Sequence, residues 1–209
     1  IRLTQLLDAA FRRVNFLNGR GAEYYRSVHE ALDFLRSGLK ELETDEIKPT
    51  VYGVGHSHID MAWLWRLNAT REKASRTFAT VLNLMKQYPE YRFMHSSPQL
   101  YKFLQEDYPE LFRQVKERIR EGRWEITGGM WVEADTNLPS GESLVRQFLY
   151  GKRYIRREFG KETRLVWLPD AFGYSAALPQ IMKKSGMKYF MTTKISWNDT
   201  NRMPYDTFL

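Results

Sequence analysis

Two imidazoles and a carboxylate alternate in Gly55-His56-Ser57-His58-Ile59-Asp60, directly after the apolar run Val51 to Val54. If that run is a strand, side chains at i, i+2 and i+4 share one face. His56, His58 and Asp60 then converge at the strand's end, offering the nitrogen and oxygen donors that suit a divalent metal such as zinc. The alternative is structural: satisfied core histidines and a helix-capping Asp. A second carboxylate, Asp170, sits behind Pro169 at the end of the apolar run Leu165 to Leu168. So placed, it can ligate a metal, act as a nucleophile, or do both; capping the next turn is its plain alternative.

Glu133 and Asp135 follow Gly128-Gly129 and are candidates for contact with substrate hydroxyls. His95, at the end of another apolar run, either supports a site from behind or is structural. Trp63, Trp65, Trp131 and Trp197 lie close to these polar groups in sequence. Indole faces suit the C–H faces of sugar rings while charged neighbours take the hydroxyls. Core anchoring is the better reading of Trp65 and Trp167. No Gly-rich phosphate loop, Ser-His-Asp arrangement or nucleophile elbow is visible.

The elements that must position these groups alternate. Residues 1–43 read as two amphipathic helices, interrupted at Asn18-Gly19-Arg20-Gly21 and followed by an acidic linker that ends in Lys48-Pro49. Strands are predicted at 51–54, 91–94, 124–127, 165–168 and 189–192. Helices are predicted at 62–88, from about 100, from about 109, at 142–159 with Ser140 as N-cap, and at 178–184. Strands and helices in alternation imply parallel strands with right-handed crossovers, an α/β fold. Each post-strand loop carries polar or aromatic chemistry, whereas the loops before the strands are ordinary helix stops. Function on one rim is what a parallel α/β enzyme places there.

The chain has 209 residues and no cysteine, so disulfides and thiolate sites are excluded within it. Its net charge of +7 raises the question of nucleic acid. The cations, however, are spread along helix faces, as in Arg113, Lys116 and Arg120 mixed with Glu117 and Glu121, which is usual for a solvated surface. No nucleic-acid partner is expected. No run of eighteen apolar residues occurs, so no membrane span is expected. The chain opens on Ile1 and stops at Leu209 without a charged tail, and is expected to be a piece of a longer protein.

Three motifs together resemble glycoside hydrolase family 38, the class II α-mannosidases. They are Gly55-His56-Ser57-His58-Ile59-Asp60-Met61-Ala62-Trp63-Leu64-Trp65, Gly128-Gly129-Met130-Trp131-Val132-Glu133-Ala134-Asp135, and Trp167-Leu168-Pro169-Asp170-Ala171-Phe172-Gly173-Tyr174-Ser175. The resemblance covers about residues 51–209. Asn137-Leu138-Pro139-Ser140-Gly141-Glu142 and Lys194-Ile195-Ser196-Trp197-Asn198 are similar to the cytosolic and bacterial branch, which implies a cytoplasmic location.

The resemblance implies a parallel β/α barrel-like catalytic domain of the seven-stranded glycoside hydrolase/deacetylase type. It would be incomplete here and occupy 49–209, after a helical segment and linker at 1–48. It implies a metal, zinc with cobalt also reasonable, held by His58, Asp60 and Asp170. Asp170 would double as nucleophile, Trp63 would pack against mannose, and His56 would stand behind the ligands. Lys194 takes the place of an arginine near the nucleophile. A further His ligand and an acid/base Asp are implied beyond residue 209. The partner implied is a mannose-containing oligosaccharide, and a homo-oligomer of the full-length chain stays open. A metal-dependent carbohydrate deacetylase and a non-catalytic sugar-binding module are the rival readings.

Overall fold

The computed structural model describes residues 2–17, 19–42, 50–200 and 203. It divides into two compact units, Ile1–Tyr52 and Gly53–Leu209. The first is a helix pair, α1 (Arg2–Phe11) and α2 (Ala22–Glu41). Gly38 lets α1 close on α2: a Cβ there would stand 2.3 Å from Leu6 Cδ1. The first helix ends at Phe11, short of the expected Leu17, which is 93% exposed. Most of the linker expected before the second unit, residues 43–49, lies outside the described residues.

The second unit alternates strands and helices: β1 (Gly55–His56), α3 (Leu67–Gln87), β2 (Phe93–His95), α4 (Pro98–Asp107), α5 (Pro109–Arg120), β3 (Trp124–Ile126), α6 (Gly141–Phe159), β4 (Leu165–Leu168), α7 (Leu178–Lys184) and β5 (Tyr189–Thr192). All pairings are parallel, in sheets ordered β1-β2-β3 and β4-β5. The mixed α/β class is as expected. Among the described residues both sheets are small and neither closes into a barrel. Just past β3, the Gly128 amide donates to Leu165 O of β4 at 3.1 Å.

Two boundaries differ from the sequence expectation for local reasons. The run Val51 to Val54 is not a strand, and Val51 and Tyr52 are about nine-tenths exposed. Pairing begins only where the Gly55 amide donates to Arg92 O at 2.9 Å, because β2 offers no partner earlier. Gly55 has no Cβ, which would otherwise stand 2.2 Å from the Tyr91 hydroxyl. The helix expected from Ala62 starts at Leu67, because the preceding segment is pinned in another shape. Thr70 Oγ1 donates to Met61 O at 2.7 Å and accepts from Trp65 Nε1 at 3.0 Å.

Helix α6 carries the expected N-cap and, in addition, a glycine at its end. Ser140 Oγ accepts from the Ser143 amide at 3.3 Å, and Gly160 closes the helix at φ +62°. The basic faces pair internally, as in Arg113 with Glu110 and Glu117, and Arg118 with Glu121.

The core lies between the helices and the three-stranded sheet. Phe78, Phe93, Leu100, Tyr101, Leu104 and Trp124 pack there fully buried. A smaller cluster of Met130, Phe148, Val166, Leu168 and Leu178 backs the two-stranded sheet. Burying a large side chain of this kind contributes roughly 1.5–3 kcal/mol. These clusters fix the strand ends, and the strand ends fix the loops.

Candidate metal centre

The loops after β1, β3, β4 and β5 meet on one side of the sheets. His58, Asp60 and Asp170 each turn one ligand atom inward, and these atoms lie within 4.8 Å of one another. His58 Nε2 is 3.3 Å from Asp60 Oδ1 and 3.4 Å from Asp170 Oδ2. Donors each bonded to zinc at about 2.0–2.2 Å in a tetrahedral array stand about 3.4 Å apart, so the observed spacings fit a shared ion. One nitrogen with two carboxylate oxygens is also a suitable donor set for zinc. On chemistry and on spacing, the three residues fit the group.

His56, nominated alongside them, is not in the group. The strand ends at His56, so alternation along a strand face cannot carry the ring to the ligand cluster. His56 instead packs on Trp167 at 5.1 Å and His95 at 5.9 Å, with Nε2 3.8 Å from Glu133 Oε1. Burial pushes its pKa down, with the charge of His58 adding to the effect and Glu133 opposing it. His95 is wholly buried among Phe78, Phe93 and Tyr101 and is held neutral, its pKa pushed down to about 3 chiefly by burial. Its place is in the core.

The Glu133 carboxylate is engaged by the protein itself. One carboxylate oxygen accepts from His58 Nδ1 and the other from Ser96 Oγ, and the side chain is only 7% exposed. With Glu133, Asp60 and Asp170 around it, His58 has its pKa raised to about 9, the Glu133 hydrogen bond being the largest cause and burial opposing it.

Asp135 is likewise engaged in structure. Its Oδ1 accepts from the amides of Asn137 and Leu138, both at 2.9 Å. A Cβ on Gly173 would stand 2.4 Å from Asp135 Oδ2. Thr136 donates from both its amide and Oγ1 to Gly173 O, at 3.0 and 2.8 Å. The loop after β3 is thereby fastened to the turn that follows Asp170. Gly128 and Gly129, at φ +92° and +71°, turn the chain from β3 into that loop.

Lys194 Nζ lies 3.4 Å from Asp170 Oδ1, in the short 3-10 turn Lys194–Ser196 after β5. The same ammonium sits 3.6 Å over the Trp197 ring, and Trp197 meets Phe172 edge-on at 5.7 Å. Trp63 is 66% exposed, and Trp65 packs edge-on against it at 5.6 Å. Two participants escaped the sequence reading, Ser96 and the Gly173 backbone. Ser96 directly follows the flagged His95, but nothing local announces that its hydroxyl anchors a glutamate.

Residues 48–209 match the glycosyl hydrolases family 38 N-terminal domain. Alpha-mannosidase G of Dictyostelium discoideum is 44% identical over 88% of this chain and 17% of its own length. Alpha-mannosidase 2C1 of Homo sapiens is 46% identical over 78% of this chain and 16% of its own. The crystal structure of an alpha-mannosidase from Enterococcus faecalis V583 superposes with a TM-score of 0.59 at 28% identity, covering 66% of this chain and 16% of that one. The chain thus spans less than a fifth of the length of these relatives.

Proposed function

The chain belongs to glycosyl hydrolase family 38, and on that premise we propose that it is part of the catalytic domain of a metal-dependent, retaining α-mannosidase. The substrate class is a glycan or oligosaccharide with terminal α-linked mannose. The observation that carries this reading is the approach of Asp170 to His58 and Asp60 from a separate loop. Residues 49–209 form the N-terminal portion of the β/α catalytic domain, incomplete as a barrel, and residues 1–48 the preceding helical segment and linker. Likeness to the cytosolic and bacterial branch supports a cytoplasmic location. No described helix is long and apolar enough to cross a membrane.

His58, Asp60 and Asp170 would hold the ion, zinc by preference and cobalt as an alternative. When bound it supplies Lewis-acid charge to sugar hydroxyls and favours the ionised form of the nucleophile. Asp170 attacks the anomeric carbon through a carboxylate oxygen while the glycosidic C–O bond breaks. The departing oxygen takes its proton from the further acid that the family resemblance implies, about 5–5.5 Å from the nucleophile. Water then cleaves the mannosyl ester, returning Asp170 and giving net retention. Lys194 steadies the charge on Asp170, and exposed Trp63 offers an apolar face to the sugar ring.

The test is proton NMR of the first product released from an α-mannoside by the full chain, before and after chelation. Initial α-mannose that disappears with the metal supports the proposal. Initial β-mannose, or turnover indifferent to chelation, rules it out.

A further inference from the structure

We propose that Glu133 is a positioning residue of the metal centre: its carboxylate keeps a proton on His58 Nδ1 and so reserves Nε2 for the ion. This rests on the metal-site reading given above. The bond between Glu133 Oε2 and His58 Nδ1 joins residues on the loops after β3 and β1. An ionised carboxylate can only accept, so Nδ1 must carry the hydrogen. The opposite ring nitrogen, Nε2, is then the one that faces Asp60 Oδ1 and Asp170 Oδ2 at 3.3 and 3.4 Å. A ligating imidazole held by a carboxylate in this way is fixed in tautomer and ring angle and made a better donor.

Glu133 is itself well anchored. Its second oxygen accepts from Ser96 Oγ, and Ser96 is nearly wholly buried at the end of β2. The Ser96 carbonyl lies against Gly128, where a Cβ would stand 2.6 Å from that oxygen, so the close approach of the two strand ends requires a glycine there. With a hydrogen bond at each oxygen and the side chain 7% exposed, Glu133 is held from both sides by the protein. Three residues further on, the same loop grips Gly173 O through Thr136. One loop therefore orients both the histidine ligand and the turn that carries Asp170.

The experiment measures zinc affinity of the full chain by competition with a chromophoric chelator, together with nitrogen NMR of His58 in the zinc-loaded protein. Glu133→Ala is expected to weaken zinc binding about 10–100-fold and to abolish the slowly exchanging Nδ1–H signal of His58. Glu133→Gln keeps the shape and one neutral acceptor, so its affinity falls between those of the parent and the alanine variant with the Nδ1–H signal retained. It decides alone if the alanine variant does not fold. Zinc affinities of the folded variants within about twofold of the parent, with His58→Ala still losing zinc, would overturn the role of Glu133 and leave the metal site standing. Full zinc affinity in His58→Ala, Asp60→Ala and Asp170→Ala alike would remove the site and this proposal with it.

Discussion

His58 Nε2 and Asp170 Oδ2 stand 3.4 Å apart although their loops follow different strands in different sheets. Only the folded unit brings them together, and Asp60 completes the group from the His58 side. Removing any one of the three takes away one of the donors that meet here. His58→Ala, Asp60→Ala and Asp170→Ala are each expected to lower bound zinc below half the parent stoichiometry, measured by elemental analysis after dialysis. A zinc content equal to the parent in all three would count against the site.

Lys194 should act on charge rather than on metal retention, because its ammonium meets the Asp170 oxygen that does not face His58. Close charge pairs can be coupled by about 1.5 kcal/mol or more, so Lys194→Met should lower kcat/KM roughly tenfold or more with zinc content unchanged. A loss of zinc instead would show that Lys194 shapes the ligand set. Lys194→Arg should recover part of the activity, since a guanidinium can also lie over Trp197 but sets its charge differently against Asp170.

The surroundings of His58 make a pH prediction. In the metal-free chain its pKa is raised from 6.5 to about 9. The folded state therefore gains stability that is fully present below pH 6.5 and lost as pH rises through about 9. Zinc must displace a proton from Nε2, so binding at pH 7 releases about one proton from His58. Calorimetry in buffers of different ionisation enthalpy measures this directly. Release of no proton at pH 7 would contradict the charged state assigned to His58.

Behind the site, Trp124 Nε1 donates to Tyr101 Oη at 2.8 Å, with both side chains fully buried. Tyr101→Phe strands that indole N–H, which costs about 1–3 kcal/mol. Urea denaturation should show the loss as a lower midpoint at unchanged slope. An unaltered midpoint would mean that the N–H finds another acceptor.

How much of this could be read from the sequence varied with how local the determinants were. The strand Leu165–Leu168, the helix Leu178–Lys184 and the strand Tyr189–Thr192 have the bounds expected, because Pro169 follows the first and Pro179 and Gly186 bracket the helix. Val51 to Val54 misled because apolar composition cannot reveal that a neighbouring strand is missing at that height. Thr70 reset the start of α3 through its side chain, which no helical period records. Glu133 and Asp135 were legible as rim residues, yet their contacts depend on His58, Ser96 and Gly173, all remote in sequence. An acidic loop residue looks the same on paper whether it faces a substrate or a histidine.

The most direct test of Asp170 as a nucleophile beside a metal is covalent trapping. The full chain would be incubated with a fluorinated mannosyl fluoride that forms a slowly hydrolysed adduct, then digested and mapped by mass spectrometry. The expected result is a single mannosyl label on the Asp170 peptide, absent from Asp170→Asn. A zinc-dependent enzyme that turns over mannosides without labelling Asp170, or that carries the label on Glu133, would contradict the account.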